Sequence, residues 1–245
     1  MTTDHKVRGS NPLGCAIKII SLMYYQFSPK QTKPISILLA LAGVYIALFV
    51  VSNLIFKKFV YIPLGFTDFE LSAGLIAFPA TFLVTDIISE IYGKKISNLT
   101  VIVAFLASFV TIAIISLVDY LQATSWSVVS DQDFAKVFGS FDISILCSLA
   151  ASMVSQFLDI YIFHYVRDLT KAKHLWLRNN ISTIISQFFD TLVILSLLGM
   201  VGIIHWQDFG NIFKSSYSYK LFFTLLDTPF AYLFIHLIRK QLRLN

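Results

Sequence analysis

The sequence predicts an all-α integral membrane protein with six transmembrane helices and both termini in the cytoplasm. Three observations carry this. First, only 13% of the 245 residues are charged, 56% are hydrophobic and 23 are Phe, whereas a soluble domain carries about 25% charged residues. Second, six apolar windows reach the ~20 residues that a helix needs to cross a ~30 Å hydrocarbon core. Third, Lys and Arg divide unevenly between the segments joining those windows. A soluble enzyme would lack polar surface at this balance, and a disordered chain would not carry so much apolar surface. The windows also far exceed the ~10 residues of a barrel strand.

The elements follow in order. Residues 1–34 form a cytoplasmic N-terminal extension. Within it, Ala16 to Phe27 is too short to span and contains Lys18, so it reads as an amphipathic segment lying on the inner membrane face. Leu13-Gly14-Cys15-Ala16 resembles a lipoprotein cleavage box, but the stretch before it, Asp4 to Pro12, is polar where a leader would be apolar. The first span is Ile35 to Phe56. The loop from Lys57 to Glu70 alternates apolar residues around Pro63-Leu64-Gly65 and reads as a short external hairpin or cap. The second and third spans are Leu71 to Tyr92 and Asn98 to Val118. Asp119 to Phe141 is the longest outer segment, with Trp126, Phe134, Phe138 and Phe141 as interface anchors. The last three spans are Ile143 to Val166, Ile181 to Ile204 and Tyr219 to Ile238. Residues 35–245 therefore make one domain.

Segments on the side of the termini hold 14 Lys and Arg, and the opposite segments hold 5. The positive-inside rule then places both termini in the cytoplasm. The net charge of +5 is spread over loops rather than gathered in one patch, so no nucleic-acid partner is expected. Two cysteines, Cys15 and Cys147, make neither a disulfide framework nor a zinc site. No metal or cofactor is expected.

A carboxylate inside a span costs roughly 2.5–3.5 kcal/mol at a helix centre on insertion scales, so each is a functional candidate. The candidates are Asp86 and Glu90 in the second span, Asp159 in the fourth, Asp190 in the fifth and Asp227 in the sixth. Asn53, Gln156, Asn179, Gln187 and Thr191 add neutral hydrogen-bonding groups. One pattern repeats: Ser155-Gln156-Phe157-Leu158-Asp159 and Ser186-Gln187-Phe188-Phe189-Asp190 both read S-Q-F-apolar-D. Gln and Asp three apart share a helix face. The two helices run in opposite directions and bring these faces to similar depth, as a binding pocket or as interhelical glue. In the second span Pro79 kinks the helix and Asp86 and Glu90 share a face. In the sixth, Thr228-Pro229 makes a second kink beside Asp227.

The run from Phe78 to Lys95, F-P-x-T-F-L-V-T-D-x-x-S-E-x-Y-G-K-K, resembles the hallmark of the queuosine precursor transporter family, also called the vitamin uptake transporter family. The resemblance extends to Gln156 through Phe163, to Trp176-Leu177-Arg178-Asn179-Asn180, and to Ser182-Thr183, Ser186-Gln187 and Asp190-Thr191. It covers roughly Ile35 to Arg239. It implies a six-helix fold like the membrane subunits of vitamin importers. It also implies a bacterial inner-membrane carrier for 7-cyano- and 7-aminomethyl-7-deazaguanine, precursors of queuosine in tRNA. The matching positions are Asp86, Glu90, Gln156, Asp159, Trp176, Arg178, Asn179, Gln187 and Asp190. Lys220 matches a family lysine near the start of the sixth helix, while Asp227 has no counterpart in the pattern.

Such a ligand fits the residue types. A guanine-like edge offers adjacent N–H donors to a carboxylate and a carbonyl to an amide. Phe157, Phe188 and Phe189 neighbour the polar groups and could stack on the rings. Two other readings stand beside a lone carrier. One is a substrate-binding subunit docked on a separate ATPase, since this chain has no G-x-x-x-x-G-K-[ST] run. The other is an intramembrane aspartyl enzyme, though no G-x-G-D, H-E-x-x-H or G-x-S-x-G run is present. The residues leave open the oligomeric state, the coupling ion and the preferred deazaguanine.

Overall fold

The computed structural model describes residues 29–56, 58–63, 68–138 and 143–243. The amphipathic segment expected at Ala16 to Phe27, Cys15 and the anchor Phe141 lie outside the described residues. Helix α1 runs Pro29–Ile55, the strands β1 and β2 run Phe59–Pro63 and Asp68–Ser72, and α2 runs Gly74–Tyr92. They are followed by α3 (Lys94–Tyr120), α4 (Asp131–Phe138), α5 (Ile143–Leu169), α6 (Leu175–Met200) and α7 (Phe209–Leu242). Every one of these helices except α4 is long and apolar enough to cross a membrane, which makes six spans.

The burial pattern is that of a protein solvated by lipid. Leu39, Leu106, Val110, Leu117, Leu225 and Leu233 are exposed, while Thr81, Ser89, Ser155, Gln156, Asp159 and Ser186 are fully buried. In hydrocarbon the polar groups must find partners within the bundle, so they turn inward and the aliphatic side chains turn out. α2 is the central helix. It buries residues along its whole length, packs against α1, α3, α5 and α7, and carries Asp86 and Glu90. α1 and α2 approach closely at Gly74, where a Cβ would lie 2.5 Å from the Ser52 carbonyl oxygen. At the other end of α2, Gly93 adopts φ 84° and turns the chain directly into α3. A residue with a Cβ would be strained there.

α5 and α6 pack most extensively, as antiparallel neighbours. The hairpin expected between the first two spans is present, with Phe59 opposite Ser72 and Pro63 opposite Asp68. It lies at the end of the bundle opposite the basic residues Lys94, Lys95, Arg167 and Arg239. We call the two ends the hairpin end and the basic end.

Several boundaries differ from the sequence expectation: α1 begins at Pro29, inside the expected extension, and α7 runs Phe209–Leu242 rather than Tyr219 to Ile238 because its polar first turns fall outside a hydropathy window. The segment after α3 contains an amphipathic helix, α4, where only a loop with aromatic anchors was expected. A reciprocal cap starts it: Ser130 Oγ donates to Asp133 Oδ2 at 2.7 Å, and the Asp133 N–H donates back to Ser130 Oγ at 3.2 Å. Hydrogen bonds from Ser130 and then Lys136 hold the Asp133 carboxyl below the usual carboxylate range. α6 begins at Leu175 rather than Ile181, so Trp176, Arg178 and Asn179 belong to a helix. Hydropathy placed that boundary too late because Arg178-Asn179-Asn180 is polar, yet Arg178 and Asn179 point into the protein.

Candidate substrate site

The polar interior is built in three tiers along the bundle. The tier nearest the hairpin end joins α5, α6 and α7. Lys220 Nζ donates to Asp190 Oδ2 at 2.5 Å and to Thr191 Oγ1 at 3.1 Å. Its ammonium also sits 4.9 Å from the centre of the Phe78 ring, a distance at which the ring quadrupole attracts a cation. The other Asp190 oxygen accepts a bond from Ser155 Oγ at 3.0 Å. Both charged side chains are buried. Asp190 therefore has a partner on each oxygen.

The central tier joins α1, α2, α5, α6 and α7. Asp159 Oδ1 accepts from Ser186 Oγ at 3.1 Å. Asp86 lies within hydrogen-bonding reach of Asp159, and both are buried to within 1%. Gln156 is clamped to α2, donating to Thr81 Oγ1 and accepting from Thr85 Oγ1, each at 3.3 Å. Beside this pair, Phe82, Leu83 and Asp86 of α2 face Asn179 and Thr183 of α6 and Thr224 and Asp227 of α7 across a cleft of about 170 Å³. Five buried polar atoms here have no partner among the described residues: Asp86 Oδ1, Asp159 Oδ2, Asn179 Oδ1, Gln187 Oε1 and the Tyr45 hydroxyl. Buried polar groups are ordinarily bonded, so a cluster of acceptors left open marks a place where a donor-bearing ligand can bind.

The tier at the basic end is an ion cluster. Glu90 accepts from Arg178 at 2.6 Å and from Arg239 at 2.5 Å, one arginine per oxygen. Arg178 also donates to the Ala172 carbonyl at 3.1 Å and lies over the Phe163 ring. This cluster ties α2, α6, α7 and the α5–α6 turn together. Arg239 is the half-exposed member.

The structure thus gathers Asp86, Asp159, Gln156, Asn179, Gln187 and Asp227 around the centre, and sets Asp190, Thr191 and Lys220 on one side of it. Glu90 and Arg178 stand on the other. Two candidates lie elsewhere. Asn53 is at the hairpin end, bonded to the Phe49 carbonyl at 2.8 Å and to Ser148 at 3.1 Å. It lines a larger pocket of about 490 Å³ between α1, α3, α4 and α5. That pocket is mainly apolar and holds no carboxylate. Trp176 is half exposed on the outer face of α6. Tyr45, Thr183, Thr224 and Arg239 were missed as members of the site. A tyrosine at mid-span, away from the interfacial belts where tyrosines concentrate, was a readable signal for Tyr45. Arg239 gave none, because it reads as one more tail cation.

Six spans around a buried, carboxylate-bearing centre, closed off toward each end by a buried ion pair, define a membrane protein of the transporter class. Residues 72–234 match the family described as "Putative vitamin uptake transporter". The chain is also 31% identical over 160 residues to a protein of Bacillus subtilis (strain 168) named "Probable queuosine precursor transporter", covering 65% of this chain and 69% of that one. The chain belongs to this family of vitamin uptake transporters, which are carriers rather than enzymes. No solved structure matches it.

Proposed function

We propose that the chain imports queuosine precursors, 7-cyano- or 7-aminomethyl-7-deazaguanine, across the bacterial inner membrane to supply tRNA modification. The observation that carries this is the set of open acceptors at the centre of the bundle, in a chain whose B. subtilis relative bears a queuosine-precursor name. A guanine-type edge presents an N1–H and an exocyclic NH₂, both donors. Asp86 Oδ1, Asp159 Oδ2 and Asn179 Oδ1 are acceptors within one buried region, two of their residues lining the same cleft. Adenine presents a different edge, with an acceptor where guanine has N1–H. Phe82 lies in the cleft wall and offers a face for the rings.

In this reading the basic end is cytoplasmic, as the 14 to 5 division of cations indicates. Asp190–Lys220 then closes the site toward the outside and Glu90–Arg178–Arg239 toward the inside. Binding a two-ring base requires the cleft to widen, since as it stands it leaves no room for a molecule of that size.

The test is complementation. A bacterium able neither to make nor to import the precursors is given this chain and supplied with each deazaguanine, and queuosine in its tRNA is measured. Queuosine returning with the chain and not with an empty vector supports the proposal. No queuosine, with the chain present in the membrane at normal abundance, counts against it.

A further inference from the structure

We infer that Asp227 selects for a positively charged substituent on the base, so that the cleft takes 7-aminomethyl- in preference to 7-cyano-7-deazaguanine. The inference deepens the deazaguanine reading above and rests on it. It starts from where Asp227 stands. Asp227 of α7 lines the cleft together with Asp86 of α2 and Asn179 of α6. α7 packs against both of those helices. Two bonds fix it on α6 around this point: Asn180 Nδ2 donates to Thr228 Oγ1 at 2.8 Å, and the Trp176 N–H donates to the Tyr232 hydroxyl at 3.1 Å. Thr224, one turn before Asp227, lines the same cleft.

Asp227 is partly buried, and among the described residues it makes neither an ion pair nor a hydrogen bond. The cations of the polar interior are already engaged. Arg178 and Arg239 hold Glu90, and Lys220 holds Asp190. A carboxylate drawn out of water without a counter-ion is costly, and a cation arriving with the ligand offsets that cost. Two further atoms mark the cleft as a ligand site and not merely an acidic patch. Asp86 Oδ1 and Asn179 Oδ1 have no partner among the described residues, and their residues are 1% and 3% exposed.

The ligand's shape matches this division of labour. The N1–H and the exocyclic NH₂ of a 7-deazaguanine form one edge, and the 7-substituent leaves the ring system on another side. With the donor edge held by Asp86 and Asn179, the 7-substituent is free to reach a third wall. α7 supplies that wall, with Asp227 on it. An aminomethyl group is an alkylamine and is protonated at neutral pH. It donates to a carboxylate in a charge-assisted bond. A nitrile has no charge and no donor, and its nitrogen is an acceptor that a carboxylate repels.

Equilibrium binding to the purified full-length protein tests this, with 7-aminomethyl-, 7-hydroxymethyl- and 7-cyano-7-deazaguanine as probes. The hydroxymethyl compound has the size of the aminomethyl one without its charge. The unaltered protein should bind the aminomethyl compound at least about tenfold more tightly than either neutral one, the low end of what a bond to a charged group contributes. Asp227→Asn should bring the three affinities to similar values. That variant should fold, because an amide is cheaper to insert than a carboxylate, and its melting temperature checks this. Equal binding of the aminomethyl and hydroxymethyl compounds by the unaltered protein overturns the inference and leaves the deazaguanine reading standing. So does a preference that persists undiminished in folded Asp227→Asn protein. If the variant does not fold, the hydroxymethyl comparison alone decides. Binding of none of the three by the folded, unaltered protein overturns the deazaguanine reading and this inference with it.

Discussion

Ser155 of α5 donates to Asp190 of α6 at 3.0 Å. The same bond is made in reverse by Ser186 of α6, which donates to Asp159 of α5 at 3.1 Å. The repeated S-Q-F-apolar-D pattern is thus a pair of matching half-sites on antiparallel helices, each serine reaching the aspartate of the other motif. The halves diverge at the second carboxylate oxygen. Asp190 Oδ2 accepts from Lys220, and Asp159 Oδ2 has no partner among the described residues. One half has become a closed ion pair and the other an open polar centre.

The ion pair gives the first prediction. Lys220→Met leaves Asp190 buried without its cation, and Asp190→Asn leaves Lys220 without its anion. Breaking one side of a buried pair costs about 3–5 kcal/mol, while replacing both partners is often nearly neutral. Each single variant should lower the melting temperature of the purified protein, and the Asp190→Asn/Lys220→Met double variant should recover most of the loss. Additive losses would show that the two residues do not stabilise each other.

The Glu90 cluster gives an asymmetric prediction. Arg178 is 2% exposed and Arg239 is 43% exposed. Arg178→Ala should destabilise by about 3–5 kcal/mol, because it leaves one buried oxygen of Glu90 without its cation, the half-exposed Arg239 holding only the other, and removes a bond to Ala172. Arg239→Ala should cost about 1 kcal/mol or less, since a solvated partner contributes little. Thermal unfolding of the two variants in one detergent checks the ranking.

Gly74 tests the packing of α1 on α2. A methyl group there would meet the Ser52 carbonyl oxygen at 2.5 Å and Phe56 Cβ at 3.0 Å. Backbone must move to admit it, and overpacking of this kind typically costs about 1–3 kcal/mol. Gly43→Ala is the control, because a Cβ at Gly43 meets nothing within 4 Å. It should be neutral or slightly stabilising, since alanine is the better helix former. The comparison is made by melting temperature.

Orientation is tested by labelling. An impermeant thiol reagent should reach a cysteine placed at Ser127 in intact cells, and one placed at Lys173 only after lysis. The reverse pattern would overturn the assignment of the basic end to the cytoplasm.

The six spans and the hairpin were legible because lipid demands long apolar runs and a Pro-Gly turn breaks them. The identity of the polar centre was also legible, since a carboxylate inside a span stands out against Leu and Phe. Which carboxylate takes which partner was not. Asp159 and Asp190 occupy equivalent places in the same motif, and only the approach of α7 gives one of them Lys220. The approach of α2 gives the other Asp86. Arg239 lies 149 residues from Glu90 in the chain, and nothing local in the sequence joins them. α4 was missed because it is short and too polar for a hydropathy reading, although its Ser130-Asp133 cap is a readable start signal.

In the proposed carrier the open acceptors around Asp86 hold the donor edge of a guanine-type base. Equilibrium binding of 7-aminomethyl-7-deazaguanine to the purified protein tests it most directly, with adenine as the comparison and Asp86→Asn as the variant. Tight binding of the deazaguanine, weak binding of adenine, and a loss of about 5- to 150-fold in Asp86→Asn are expected. That range follows from the roughly 1–3 kcal/mol cost of setting a donor against a buried donor. Equal binding of adenine, or undiminished deazaguanine binding by a folded Asp86→Asn protein, would contradict it.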